Sequence, residues 1–148
     1  MANVLYDKGR EGFLAGEIDA DTAVLKLLLC RLTAGGTLTV NQAHKFVSDL
    51  VGSATIAATS AALSSKTVTD GVLDAADFAP AFAAVASNAN GHVLVLIQSS
   101  AVTGGGDVAN TAQRLIAFID TGTNLPVTPN GGDINVTFDS GANRIFKL

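Results

Sequence analysis

The chain has 148 residues and a mass of 15.0 kDa, with 15% charged residues, a formal net charge of -4 and a mean hydropathy of +0.39. That length supports one domain able to bury a core without disulfide or metal staples. The single Cys30 rules out an intrachain bridge, the nine scattered basic residues make no phosphate-binding surface, and Lys26 and Arg31 interrupt the longest apolar run well short of the ~20 residues of a membrane helix.

The N-terminus carries Asp7, Lys8, Arg10 and Glu11 where the apolar stretch of a signal peptide would lie, so the protein is expected to be made and used in the cytoplasm, or built into a particle there. From Val4 to Ile18 the near-helical spacing of Leu5, Gly9, Phe13 and Leu14 predicts a short helix, weakened towards its end by Gly12 and Gly16. A polar turn, Glu17 to Thr22, leads into Val24 to Leu32, apolar on both faces. That run reads as a buried strand, with a buried helix as the alternative. Gly35 and Gly36 break the chain. Asn41 then caps an amphipathic helix whose Ala43, Phe46, Val47 and Leu50 recur at i, i+3, i+4 and i+7.

After Gly52 the pattern turns to β-type alternation over Thr55 to Leu63 and Lys66 to Val68, closed by the turn Thr69-Asp70-Gly71. Val72 to Ala86 is ambiguous, because its alanines favour helix while Pro80 opposes it. Phe78 to Val85 is read as an irregular edge strand, where a sheet tolerates proline, ended by Asn88 to Gly91. His92 to Ser99 and Gln113 to Ile119 read as strands around a flexible Thr103 to Asp107 loop. A long ordered loop, Asp120 to Asp133, precedes a strand with Ile134, Val136 and Phe138 on one face and Asn135 and Thr137 on the wet one. Asp139 to Asn143 is expected to close a hairpin onto Arg144 to Leu148. The sum is a mainly β chain: an antiparallel β-sandwich or open barrel with one or two short helices in the N-terminal third.

No constellation of residues calls for catalysis or a cofactor. Phe118-Ile119-Asp120-Thr121-Gly122 matches the Asp-Thr-Gly signature of retropepsin-like aspartic proteases, in which two such carboxylates share a proton. Too little chain follows for that family's flap and second hydrophobic strand, so a turn closing a strand is the better reading. Gly104-Gly105-Gly106-Asp107 lacks the Lys-Ser or Lys-Thr of a phosphate loop. Glu17, Asp19 and Asp21, or Asp70, Asp74 and Asp77, could gather oxygens around calcium, but neither set has the spacing of a dedicated loop. They are read as turn and cap residues. His44 and His92 have no ligand partners at zinc spacing, and Cys30 is too embedded in apolar neighbours to act as a thiolate. With no Trp and one Tyr, the chain offers no aromatic platform for sugars or single-stranded nucleic acid.

The charge content is low against about a quarter in an average soluble domain. Few charges leave little to keep an isolated surface wet, and a surface covered by neighbouring subunits explains the deficit. The alternative is an Ala-rich domain with an ordinary shell of Thr, Ser and Asn.

Both ends of the chain, Val4 to Arg10 running on to Ile18 and the Leu125-Pro126-Val127-Thr128-Pro129-Asn130-Gly131-Gly132-Asp133 loop with the Asn143 to Leu148 ending, resemble a group of small virion proteins of tailed bacteriophages. The stretches Thr59 to Leu63 and Ser65 to Val72 are similar as well; Phe78 to Asn110 is not. The resemblance implies a non-enzymatic structural protein of the virion, first of all a capsid decoration or cement protein that binds the head shell. A tail, neck or fibre-associated component is the second reading, and a retropepsin-like protease using Asp120 a remote third. It further implies the major capsid protein or other virion proteins as partners, a homo-oligomer with a trimer favoured, and neither nucleic acid nor membrane. On the decoration reading, Tyr6, Asp7, Lys8 and Arg10 of the N-terminal arm and Leu125, Pro126, Val127 and Pro129 of the loop are the candidate assembly contacts. The two prolines limit the loop's freedom and so reduce the entropy lost on docking. The rest of the chain is expected to fold without residues 2–10.

Overall fold

A computed structural model describes residues 3–31, 40–51 and 54–148; Leu32 and the breaks expected at Gly35, Gly36 and Gly52 lie outside them. The element order is β1 (Val4–Leu5), α1 (Asp7–Leu14), β2 (Val24–Arg31), α2 (Val47–Val51), β3 (Thr55–Thr59), β4 (Thr67–Thr69), β5 (Val72–Asp74), β6 (Phe78–Phe82), β7 (His92–Ser100), β8 (Arg114–Ile119), β9 (Ile134–Val136) and β10 (Phe146–Lys147). The fold is mainly β and sandwich-like. Every strand pair is antiparallel, and the described sheets do not close into a barrel.

A five-stranded sheet, ordered β1-β8-β7-β2-β3, forms the centre. β2 and β7 are buried along almost their whole length because their sequences are apolar at both parities of the pleat. Leu25, Leu27, Leu29, Leu94 and Leu96 face one core, completed by Leu63, by Leu73 of β5 and by Ala81 and Phe82 of β6. Leu28, Cys30, Val93, Val95 and Ile97 face the other, beneath Tyr6, Val47, Leu50 and Ala54. The first face is thus covered by two small sheets, β10-β5-β4 and β6-β9, and the second by the segment around α2.

The β4–β5 hairpin has its expected turn. Asp70 and Gly71 both take positive φ, 53° and 77°, which suits the twist of a two-residue hairpin. Pro80 lies in β6, paired irregularly with β9 alone, as an edge strand allows.

Three expectations are corrected. The terminal strand does not fold back on β9: β10 pairs with β5, Phe146 opposite Leu73 and Lys147 opposite Val72. Phe146 thereby packs against the first core and meets Phe13, with ring centroids 5.8 Å apart. The helix expected from Asn41 shrinks to Val47–Val51. Asn41 Oδ1 accepts from the Ala43 amide and Asp49 Oδ2 from the amides of Lys45 and Phe46, so side chains take donors that a longer helix would have used. The stretch from Val4 to Ile18 divides into β1, which extends the central sheet beside β8, and α1.

The glycines of α1 are packing residues. A Cβ on Gly9 would lie 2.9 Å from the Leu115 carbonyl oxygen and 3.0 Å from that of Ile116, while one on Gly12 would meet Arg114 Nη2 at 2.6 Å. Both glycines turn towards β8, and their lack of side chains lets the helix lie against strand backbone. Gly9→Ala, which in an exposed helix would add about 1 kcal/mol of stability, is therefore expected to lower it by about 1–3 kcal/mol in urea unfolding.

Candidate assembly surface

The eight residues expected to make contacts divide by burial. Tyr6 is 1% exposed within the second core, and Pro129 is buried too, so neither presents a side chain to a partner; this corrects the expectation for both. Apolar rings adjoining a β-sheet are more stable beneath neighbours than in water. Asp7, Arg10 and Pro126 are exposed, while Lys8, Leu125 and Val127 are partly so. Because β1 belongs to the central sheet and Tyr6 to a core, residues 3–10 are structural parts of the fold rather than a detachable arm.

The two segments also lie towards opposite ends of β8. Tyr6 N donates to the Ile116 carbonyl and Arg114 Nη2 to that of Lys8, setting α1 beside the start of the strand. Arg114 also pairs with Glu17 through a short contact. The exposed helix face carries two i, i+3 ion pairs, Arg10 to Asp7 at 2.9 Å and Lys8 to Glu11 at 2.5 Å. Such solvated pairs contribute little to stability. The Lys8 ammonium nevertheless holds the Glu11 carboxyl below its usual range.

At the other end of β8 the chain enters the long loop. Asn3 Oδ1 accepts from the amides of Asp120 and Thr121, and Asn3 Nδ2 donates to the Thr121 carbonyl, so one side-chain amide clamps the turn of the Asp-Thr-Gly motif. Thr121 Oγ1 donates to Asp120 Oδ1. The loop then returns to the sheet, where His92 N donates to the Val127 carbonyl at 2.7 Å and Val127 N to that of His92 at 2.9 Å.

The remaining acidic residues do turn and cap work. Asp19 accepts from the amides of Asp21 and Thr22 and from the Thr22 hydroxyl, which keeps its carboxyl below the usual range. Asp77 accepts from Phe138 N, and Asp74 accepts from Ala75 N and pairs with Arg144. Among the described residues no three His, Cys, Asp or Glu side chains gather as a metal cluster. Cys30 is fully buried, and that burial pushes its thiol up to about 12.

What the sequence reading missed is a groove of about 830 Å³ between the start of the long loop and the stretch from β9 to Ile145. Its signal was the alternation of Ile134, Val136 and Phe138. All three are only partly buried, as are Ile119, Leu125 and Ile145. Aliphatic side chains also stand in solvent elsewhere: Leu14 is 91% exposed and Val102 68%. No family profile, curated protein or solved structure matches this chain.

Two measurements check these placements. The Tyr6 hydroxyl is buried without a hydrogen-bond partner among the described residues. Tyr6→Phe is therefore expected to leave stability unchanged or raise it, whereas Tyr6→Ala should cost about 3–5 kcal/mol in denaturant unfolding. The His92 imidazole is held below its usual range, first by burial and also by the nearby Arg31, against a hydrogen bond to the Asn90 carbonyl. The unfolded chain then takes up a proton below about pH 6.5 that the folded chain refuses, so stability is full above that pH and declines as the pH falls. Melting temperatures between pH 7.5 and 5 should show this decline, and His92→Gln should flatten it.

Proposed function

We propose that this chain is a non-enzymatic structural protein of a tailed-phage particle, a decoration or cement subunit bound to the head shell, acting as a homo-oligomer for which a trimer is favoured. The observation that carries the reading is the resemblance of both chain ends to small virion proteins. The surface supports it: charges are sparse, and Leu14, Val102, Leu148, Val51 and Val68 all stand at least 49% exposed. Water-facing aliphatic area is unfavourable by about 25 cal/mol per Å², and a lattice of repeated subunits removes it many times over through contacts individually weak.

On this reading the exposed face of α1 and the tip of the long loop meet different neighbours, since they lie towards opposite ends of β8. The major capsid protein is the principal partner. The clamp on the Asp120 turn gives that residue a structural part, consistent with a passive role.

Quantitative mass spectrometry of purified particles tests the assignment. Hundreds of copies per particle are expected for a head decoration; a few to tens would replace it by a tail or neck component, and absence would overturn both. Asp120→Asn is expected to leave particle maturation unchanged, and a maturation block in that variant would overturn the non-enzymatic reading.

A further inference from the structure

The sheet formed by β6 and β9 has two strands, so among the described residues β9 has a partner on one edge only. The whole run 134–140 lines the 830 Å³ groove, inward-facing Val136 and Phe138 together with outward-facing Asn135 and Thr137. Residues of both parities can line one groove only if it follows the edge of the strand rather than a face. The opposite wall is the 121–125 turn, and Leu94 and Ile119 contribute apolar surface between them.

An open strand edge offers a row of backbone donors and acceptors, and another extended backbone satisfies such a row best. A lipid chain would leave those groups unsatisfied. Phe138 is the one aromatic side chain in the lining, which gives a sugar no stacking platform. The lining holds just two ionised side chains, Asp139 and Arg144, of opposite sign, and Arg144 is paired to Asp74 at 3.4 Å. The rest of the rim is hydroxyl and amide. A charged ligand would lose water there without gaining a counterion, so the complementary partner is neutral.

We propose that this groove is a strand-addition site, which takes an extended, uncharged peptide segment of a partner protein beside β9. Apolar side chains of that segment point to the groove's inner wall, and alternating Ser, Thr or Asn side chains meet its rim. The seven-residue wall spans roughly 20 Å, enough for about six residues of added strand. The inference stands on the groove alone and goes beyond the virion assignment.

Display of random octapeptides against the purified chain tests it, using one library that alternates Val, Ile or Leu with Ser, Thr or Asn and a matched library that alternates the same apolar residues with Lys or Glu. The neutral library is expected to enrich, and its selected peptides should bind at least about tenfold more weakly to Thr137→Arg and Thr123→Arg. Both substitutions sit at exposed positions, and circular dichroism should show their folds unchanged; Thr69→Arg, exposed on β4, should bind as the parent does. No enrichment of the neutral library over the charged one would overturn the proposal. So would binders indifferent to both groove variants. Because no particle is involved, either failure leaves the copy-number test of the virion reading untouched.

Discussion

Two neighbouring strands with no wet face govern this molecule. β2 and β7 run side by side for eight residue pairs, and apolar side chains leave both surfaces of that pair. Fully burying one such Leu, Ile or Val contributes about 1.5–3 kcal/mol, so neither surface can stay open. The chain answers with different covers, small sheets and α1 on one side and the short segment around α2 on the other. Lys26, the charged exception on β2, reaches Asp107 at 2.8 Å, so even the inner strand's ammonium has a counterion.

That demand explains the crowding along β8. The outer flank of this strand is taken first by β1, then by α1, and Leu115 N donates to the Lys45 carbonyl. Backbone from three parts of the chain shields one edge, and only side-chain-free residues fit where helix meets strand. The conformational entropy lost in ordering these segments is offset because each covers apolar surface as it protects backbone groups. The opposite flank of the molecule is less thoroughly closed, and there the 830 Å³ groove opens.

Much of this architecture was legible in the residues. Two-sided apolar runs marked β2, β7 and β8; Asp70-Gly71 marked its hairpin; Pro80 marked an edge. What escaped was decided by distant partners. Phe146 could not announce that it would pair beside Leu73 rather than return to Val136, because a two-residue strand has too little pattern to choose. Periodicity at Phe46, Val47 and Leu50 was real, yet Asp49 captured the amides of Lys45 and Phe46 and stopped the helix short. The fate of Tyr6 was hidden for a similar reason: it follows two residues that join a sheet whose other members lie over a hundred positions away. For the candidate surface, composition indicated sparse charge but not the groove, since a strand's second edge is empty or filled according to the whole topology.

The sealed environment of Cys30 has a practical side. A thiol so deeply enclosed and so reluctant to ionise will not compete for a maleimide at neutral pH. One cysteine introduced on the exterior, at Val102 for instance, would take up a gold cluster or fluorophore stoichiometrically in the otherwise native protein, and its position could then be read directly in electron micrographs.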